Sequence, residues 1–431
     1  MDEQVMVHLE KRARKILAAA TCGDEMAIAA FDRNMNRRKM FSNLAGGLGL
    51  SLLAPGAMNL LFGRGLLPAA WADTPAVAGK PGMMVHNTRP INGEFMPHEL
   101  NDLVTPINRH FVRNNALVPK VDIKTWRLQI DGLVEKPLSI SLQELKAMPA
   151  KSYNLLIECG GNGRALFDPP VRGNPWGRGA VSCSQWTGVP LQDLLSRAVL
   201  KKGAVYTGHW GDDLPLGQAE PFSRGIPIDK ALEPHTLVAY KMNGKDLPAN
   251  HGYPVRLVVP GWVGSASEKW LSRVKILDKV HDSQKMRGYS YRVPKYPAVP
   301  GVKPPEKDME IATAWQIKSM ITSHAPEHKL KEPGSLRLYG QAWAGESKVS
   351  HVDISKDFGA TWQRALLKDP ANKYAWQRFE AQLEFSRKGY YEVWARATDH
   401  RGVSQPFQQP WNPKGYMGNM MHRIPILVGV A

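Results

Sequence analysis

The sequence predicts an α+β domain followed by an all-β, immunoglobulin-like sandwich domain. In residues 80–290, short strand patterns alternate with short helical patterns without a repeating strand–helix–strand order, which is typical of α+β domains. In residues 310–431, apolar residues recur at every second position and no long helical pattern occurs, which favours a sandwich of short strands. We therefore place the two domains at residues 73–305 and 306–431, after a leader at residues 1–72.

Four segments define the elements expected in the first domain. Trp126–Ile130 alternates like a strand and runs into a turn signal. Ser141 and Glu144 have the capping-box spacing that starts a helix. Leu191–Val199 has the periodicity of a short amphipathic helix, and the largely apolar run Val255–Val259 indicates a buried strand.

The second domain is predicted from alternation in three places. Tyr391–Thr398 alternates between small or apolar residues and larger or polar ones. Leu336 with Leu338, and Val352 with Ile354, repeat the same two-residue spacing. Because successive side chains of a strand point to opposite faces, this spacing buries one face of each strand.

A proline-rich bridge separates the two predicted domains. Tyr291–Lys307 contains five prolines and little apolar periodicity. Such a composition favours extended and poorly packed backbone. We interpret this segment as a linker.

Composition excludes several classes of protein. Apolar residues make up 43% of the 431 residues and charged residues 22%, which is the balance of a folded globular chain rather than a disordered one or a coiled coil. Three cysteines are too few for a disulfide scaffold or a four-thiolate metal site. The formal net charge of +17 attracts anions. No basic run is interleaved with aromatic residues, so we expect no nucleic-acid partner.

The first 72 residues resemble a twin-arginine signal peptide. Arg37 and Arg38 stand before an uncharged stretch at 41–63, and Ala70-Trp71-Ala72 has the spacing of a cleavage site. Several glycines and a proline make the stretch a poor membrane-spanning helix, so we expect no stable membrane insertion of the mature chain. The twin-arginine route exports folded proteins, so we expect a periplasmic protein that acquires a cofactor before export.

Cys159 is the residue most strongly indicated as a functional side chain. An apolar strand delivers it into a turn that contains three glycines and ends at Arg164. Glycines let the backbone adopt positive φ and approach a ligand closely. The residues alone leave three roles open for Cys159: a nucleophile, a metal ligand, or one half of a disulfide with Cys183.

The C-G-G-N-G-R stretch at Cys159–Arg164 resembles the C-A-G-N-x-R motif of the sulfite oxidase family of molybdenum enzymes. Further matches follow in the same order at Phe111–Asn114, Pro175–Ala180, Trp186–Val189, His251–Arg256, Val259–Gly264, Lys269–Leu271, Tyr339–Trp343 and His422–Arg423. The resemblance spans residues 85–431 and is strongest to bacterial periplasmic sulfite dehydrogenases that carry no haem. It implies a molybdopterin-binding first domain and a dimerising sandwich, and therefore a homodimer.

The resemblance also implies roles for single residues. Cys159 would bind molybdenum as a thiolate, beside a molybdopterin cofactor. The residues implied to line the sulfite pocket are Arg113, Arg164, Trp176, Arg423 and a tyrosine, for which we favour Tyr289 over Tyr291. The residues implied to hold the pterin and its phosphate are Asn114, Asn115, His251, Arg256 and Lys269; Asn115 stands where vertebrate relatives carry a histidine.

The reaction implied is the oxidation of sulfite to sulfate. The chain contains no C-x-x-C-H motif, so it attaches no c-type haem of its own. A separate soluble c-type cytochrome is then the expected electron acceptor. Two alternatives stay open: a periplasmic molybdenum enzyme that reduces methionine sulfoxide, and a non-catalytic anion-binding protein with a Cys159–Cys183 disulfide.

Overall fold

The computed structural model describes residues 77–217 and 220–430. The predicted signal peptide at 1–72 lies outside the described residues. Strands dominate the described part, which has three short α-helices: α1 at Leu142–Ala147, α2 at Leu191–Ala198 and α3 at Ile228–Ala231. Within these residues no helix has both the length and the apolar character needed to cross a bilayer.

Three sheets build the first domain. The first sheet holds β1 (Met84–Thr88), β2 (Ile91–Glu94) and β3 (Val112–Arg113). The second has the order β11-β10-β7-β6, with β12 also paired to β10; its strands are β6 (Lys151–Glu158), β7 (Val181–Pro190), β10 (Leu237–Met242), β11 (Lys245–Asp246) and β12 (Arg256–Val258). The third has the order β5-β4-β13-β8-β9; its strands are β4 (Leu128–Gly132), β5 (Leu138–Ile140), β8 (Tyr206–Gly211), β9 (Ser223–Pro227) and β13 (Leu271–Leu277).

The predicted elements of the first domain are present. Ser141 caps α1, since its hydroxyl accepts from the Glu144 N–H and the Glu144 carboxylate accepts from the Ser141 N–H. α2 ends one residue before Val199, and its Leu194 and Leu195 are fully buried. Both helices pack into one apolar core with the second and third sheets. Burial of such side chains contributes about 1.5–3 kcal/mol each.

Two facing sheets with a shared core form the C-terminal sandwich. One has the order β16-β18-β22-β21, with β16 at Lys318–Ile321, β18 at Gly334–Trp343, β21 at Leu366–Leu367 and β22 at Gln377–Phe385. The other has the order β17-β24-β23-β19-β20, with β17 at His328–Leu330, β19 at Val349–Ser355, β20 at Gln363–Arg364, β23 at Gly389–Asp399 and β24 at His422–Val428. The alternation predicted this burial: Leu338, Val352, Val393 and Ala395 all lie in the shared core. An immunoglobulin-like topology remains a prediction.

The predicted linker is only partly a linker. β14 (Arg292–Pro294) pairs antiparallel with β15 (Met309–Ile311), so the segment is tied at both ends. Tyr291, at its start, is 8% exposed, whereas most residues from 295 to 307 are exposed. The proposed domain boundary at 305/306 falls just before β15. The buried position of Tyr291 bears directly on the site.

Candidate active site

Cys159 lies at the end of β6, directly after a fully buried Glu158. Leu155, Ile157 and Cys159 pack into one apolar cluster, as expected for alternate residues of a strand. Cys183 on β7 is paired in register with Leu156, and both lie in a different cluster. The two cysteines therefore point to opposite faces of the same strand pair, and both are free. The disulfide alternative is wrong for this structure.

The turn after Cys159 is held by backbone hydrogen bonds. The Asn162 N–H donates to the Cys159 carbonyl at 2.7 Å, and the Arg164 N–H donates to the Gly161 carbonyl at 2.9 Å. Gly163 adopts φ of +91°, which favours glycine. A Cβ on Gly161 would lie 2.3 Å from the Arg164 guanidinium. The glycines thus close the turn and let Arg164 fold back over it.

A first cavity opens beside Cys159. Its lining includes the predicted residues Arg113, Asn115, His251, Arg256 and Lys269. Further polar lining residues are Asn250, Ser265, Ser267, Asp213 and Glu268. Such a mixture of cations, amides and carboxyl groups suits a ligand that carries both negative charge and hydrogen-bonding ring atoms.

Two cations of this cavity are buried. Arg256 donates to the His251 and Ser267 carbonyls, each at 3.1 Å, and burial lowers its pKa to about 9. The Lys269 ammonium donates to the Asn250 carbonyl at 3.0 Å and to the Asn114 side chain. Burial, together with the charges of Arg256 and Arg113, lowers the pKa of Lys269 well below its usual value. An anion in this cavity would stabilise both charged forms.

Several buried polar atoms around this cavity have no hydrogen-bond partner among the described residues. They are the Nε2 atoms of His110 and His251, Nε of Arg256, Oγ of Ser265 and Oε2 of Glu268. The two imidazoles lie 4.8 Å apart, and burial lowers the pKa of each well below its ordinary value. Buried polar groups are nearly always paired in folded proteins. The cavity therefore fits a polar ligand such as a phosphorylated pterin.

A second cavity also reaches Cys159. Arg113, Cys159 and Tyr291 line both cavities. The second cavity is otherwise lined by Arg164, Arg172, Gly173, Asn174, Lys414 and Tyr416. Four cationic side chains and no carboxylate thus surround it. This charge suits a small oxyanion, which guanidinium groups bind with paired hydrogen bonds.

Two of the four cationic groups of the second cavity are held by hydrogen bonds. Arg113 donates to the Asn115 side-chain oxygen at 2.7 Å and to Asn92 at 3.2 Å. Arg164 donates to the Lys414 carbonyl at 2.8 Å and to the Asn174 carbonyl at 3.0 Å. These contacts orient both guanidinium groups without neutralising them.

Tyr291 and Tyr416 form one wall of the second cavity. Their rings stack with centroids 5.3 Å apart, and the Arg164 guanidinium lies 5.3 Å from the Tyr416 ring. Burial, together with Tyr291, raises the pKa of Tyr416 to about 12. The Asn115 amide donates to the Tyr291 hydroxyl at 3.3 Å, so the hydroxyl hydrogen can point into the cavity. Tyr291 also has φ of +50°, an unusual conformation for a tyrosine.

The structure brings together most of the predicted site residues. Cys159, Arg113 and Arg164 meet at the second cavity, and Asn115, His251, Arg256 and Lys269 line the first. Asn114 is buried just behind this wall, where its side chain contacts Lys269 and Asn250.

Three predicted pocket residues lie elsewhere. Tyr289 donates its hydroxyl to the Pro304 carbonyl at 2.6 Å, outside both cavities. Trp176 is completely buried in the apolar cluster behind Cys159, with its ring edge-on to His86 at 4.9 Å. Arg423 lies on β24 with its guanidinium 4.6 Å from the Phe407 ring. The loop before β24, through Lys414 and Tyr416, closes the cavity instead.

Sequence reasoning ranked Tyr291 behind Tyr289, and it missed several lining residues, among them Asp213, Glu268, Lys414 and Tyr416. Burial raises the pKa of the Asp213 and Glu268 carboxyl groups. Glu268 directly precedes the matched stretch Lys269–Leu271, and this position was the one feature of the sequence that could have indicated it as a site residue. The loop that carries Lys414 and Tyr416 has no pattern that distinguishes it.

Two family matches cover most of the described chain. Residues 115–285 match the oxidoreductase molybdopterin binding domain, and residues 309–429 match the Mo-co oxidoreductase dimerisation domain. The first match contains the Cys159 turn and most residues that line the first cavity, and the second covers most of the C-terminal sandwich.

Known proteins resemble the chain along most of its length. It is 34% identical to sulfite oxidase of Gallus gallus over 367 residues, which cover 80% of this chain and 77% of that protein. It is 31% identical to the NADH nitrate reductase of Solanum lycopersicum over 374 residues, which cover 78% of this chain and 40% of that protein. Its fold matches the sulfane dehydrogenase SoxCD of Paracoccus pantotrophus, with a TM-score of 0.70, 24% identity and coverage of 90% of this chain and 100% of that one. The chain belongs to the sulfite oxidase family of molybdopterin oxidoreductases and is an enzyme that works with a molybdenum–pterin cofactor.

Proposed function

We propose that the protein oxidises sulfite to sulfate at a molybdenum–pterin centre bound through the Cys159 thiolate. The observation that carries this proposal is that Cys159 lines two cavities of different character. One offers paired cations and unpartnered polar atoms to a large polar cofactor. The other is lined by Cys159 together with four cationic side chains and no carboxylate, which suits a small dianion.

The residues of the first cavity would hold the cofactor. Lys269 and Arg256 supply positive charge for its phosphate, and Asn114 fixes the Lys269 ammonium by a hydrogen bond. His251 and Asn115 offer polar atoms to the rest of the ligand. When bound, the cofactor supplies a metal that accepts two electrons from the substrate.

The residues of the second cavity would bind sulfite and exclude bulk water. Sulfite is strongly hydrated, and the charged hydrogen bonds of Arg113 and Arg164 offset the loss of that hydration. The Tyr291 hydroxyl, oriented by Asn115, can donate to a substrate oxygen. The reaction adds one oxygen atom from water to sulfite and releases two electrons and two protons. Because the cavity is cationic, sulfate stays bound less tightly at high ionic strength.

We further propose that the electrons leave one at a time to a separate soluble c-type cytochrome, and that the enzyme works in the periplasm as a homodimer. The absence of a C-x-x-C-H motif in the chain supports an external acceptor. The twin-arginine pattern at Arg37 and Arg38 supports export. The match of residues 309–429 to a dimerisation domain supports the homodimer.

One set of assays on the purified full chain tests the function. We expect about one molybdenum atom per chain by elemental analysis, and rapid sulfite-dependent reduction of cytochrome c. Methionine sulfoxide, supplied with an artificial electron donor, should be turned over far more slowly, because a neutral sulfoxide gains nothing from the four cations. Faster turnover of the sulfoxide would reverse the assignment, and a metal-free chain would exclude both reactions.

Tyr291→Phe should lower kcat/KM for sulfite about 10-fold, because it removes one hydroxyl hydrogen bond to the bound anion. Tyr289→Phe is the matched control. The Tyr289 hydroxyl donates to the Pro304 carbonyl and does not line either cavity, so removing it should leave kcat/KM within about twofold of wild type. Steady-state kinetics on the two variants decides between the two tyrosines. Equal losses, or a loss confined to Tyr289→Phe, would contradict the placement of Tyr291 at the substrate.

A further inference from the structure

The carboxylate that precedes Cys159 is bound by the other domain. Glu158 has no exposed surface. The Lys318 ammonium, from β16 of the C-terminal sandwich, forms an ion pair with Oε1, and the Trp343 indole N–H, from β18, donates to Oε2 at 2.8 Å. Asn162, from the Cys159 turn, donates to Oε1 at 2.9 Å. One buried carboxylate thus joins the turn to two strands of the sandwich.

Lys318 is also buried, although slightly less completely than Glu158. It is 5% exposed, and its ammonium lies 4.8 Å from the Trp315 ring and 5.8 Å from the Trp343 ring. Taking both charges out of water costs several kcal/mol per ion, and a well-packed apolar pair is often as stable. Net stability is therefore a weak explanation for the pair. Its geometry points to positioning, since an apolar pair could not bond Asn162 and Trp343.

The same carboxylate is linked through Asn162 to the backbone of Cys159. The Asn162 side chain bonds Glu158 with its nitrogen, and its oxygen accepts from the Ala180 N–H at 3.1 Å. The Asn162 backbone N–H donates to the Cys159 carbonyl at 2.7 Å. A second contact from the C-terminal domain also holds the turn, because the Met417 N–H donates to the Gly160 carbonyl at 2.9 Å. The backbone around Cys159 is therefore set by groups of both domains.

We propose that the Glu158–Lys318 pair is a positioning device through which the C-terminal sandwich sets the orientation of the Cys159 thiolate toward the cofactor metal. This inference rests on the proposed ligation by Cys159. Lys318 and Trp343 do not line either cavity beside Cys159 and act through Glu158. The sandwich thereby contributes to the reactivity of the centre as well as to assembly of the chain.

The test uses a charge-neutral double variant, Glu158→Gln/Lys318→Met, in the full-length holoenzyme. Removing both charges avoids the unpaired buried carboxylate that Lys318→Met alone would leave. We expect a molybdenum content equal to wild type, together with altered g-values in the molybdenum(V) electron paramagnetic resonance spectrum after partial reduction by sulfite. We expect kcat to fall about 10-fold, as for residues that orient metal ligands. KM for sulfite should stay the same, because the cationic cavity is untouched.

Two further variants make the result decisive. Arg337→Met/Glu380→Gln removes a 2.7 Å ion pair between β18 and β22 that is exposed on the Arg337 side, and it should leave both the spectrum and kcat unchanged. Trp343→Phe keeps an aromatic ring but removes the N–H donor to Glu158, and should shift the spectrum in the same direction by less. It replaces the double variant if the latter does not fold.

The outcomes separate this inference from the proposed function. A wild-type spectrum and wild-type kcat in Glu158→Gln/Lys318→Met, or in Trp343→Phe where that variant stands in, would overturn the positioning role and leave the proposed function intact. A wild-type chain that gives no molybdenum(V) signal with sulfite would overturn both. A spectral shift in Arg337→Met/Glu380→Gln as large as in the double variant would also overturn the inference, since any disturbance of the sandwich would then suffice.

Discussion

Cys159→Ser should reduce sulfite oxidation by at least about 100-fold while the chain still folds. Serine is close in size to cysteine, and Cys159 is an apolar-packed residue at a strand end, so little packing is lost. A neutral hydroxyl is a far poorer ligand than a thiolate for a soft metal site. Even the removal of a residue that only orients a metal ligand lowers metal affinity or activity 10- to 100-fold. Steady-state turnover of sulfite, with circular dichroism to confirm folding, measures the effect.

Cys183→Ala is the matched control for this substitution. Cys183 is also fully buried on the same strand pair, and burial raises the pKa of its thiol to about 12, so it stays protonated. Its side chain lies on the opposite face of the sheet from both cavities. We expect turnover and molybdenum content close to wild type. If Cys159→Ser kept wild-type turnover, or if both variants lost activity equally, Cys159 would not be the metal ligand.

Much of this site could be predicted because its parts are local in sequence. The strand, the cysteine and the glycine turn at 159–164 lie within a few residues, and the turn forms through its own backbone hydrogen bonds. The capping box at Ser141 and Glu144 is equally local and was predicted in full. The period-two alternation of β23 fixed its buried face because a strand has only two faces.

The predicted pocket residues that the structure places elsewhere are ones whose positions depend on distant parts of the chain. Tyr289 and Tyr291 are both close to the proline-rich segment, and the pairing of β14 with β15 turns Tyr291 inward. Trp176 is a core residue because the Glu94 carboxylate accepts from the Gly177 and Gly179 N–H groups and holds that segment against the cluster. The cavity closes with Tyr416 instead of Arg423, since one is in a loop that reaches the Cys159 turn and the other is on β24. None of these contacts is marked in the sequence by a periodic pattern or by a motif.

The Glu158–Lys318 pair could not be predicted from the sequence either. The two residues are 160 positions apart and each stands alone as a charge in an apolar stretch. A single charged residue in such a stretch is typical of a strand end or of a solvent-facing position. Only the docking of the sandwich against the first domain brings the two charges together.

Arg113→Met should raise KM for sulfite about 10- to 100-fold, because a charged hydrogen bond to a desolvated anion contributes about 1.5–3 kcal/mol. Arg113 lines both cavities, and its guanidinium is held by Asn92 and Asn115, so it is already oriented before the anion binds. Arg113→Lys should recover part of the affinity, since it restores the charge but not the planar fork. Because the charge lies in a cavity open to solvent, KM of the wild type should also rise with ionic strength.

Arg423→Met separates a role in binding from a general effect of positive charge. Arg423 was expected in the pocket, but its guanidinium lies over Phe407 and Trp394. We expect KM for sulfite within about twofold of wild type, and a molybdenum content equal to wild type in all three arginine variants. If Arg423→Met and Arg113→Met raised KM equally, the substrate would respond to the net charge of the enzyme rather than to the cavity beside Cys159. If Arg113→Met lowered molybdenum content instead of sulfite affinity, Arg113 would belong to the first cavity alone.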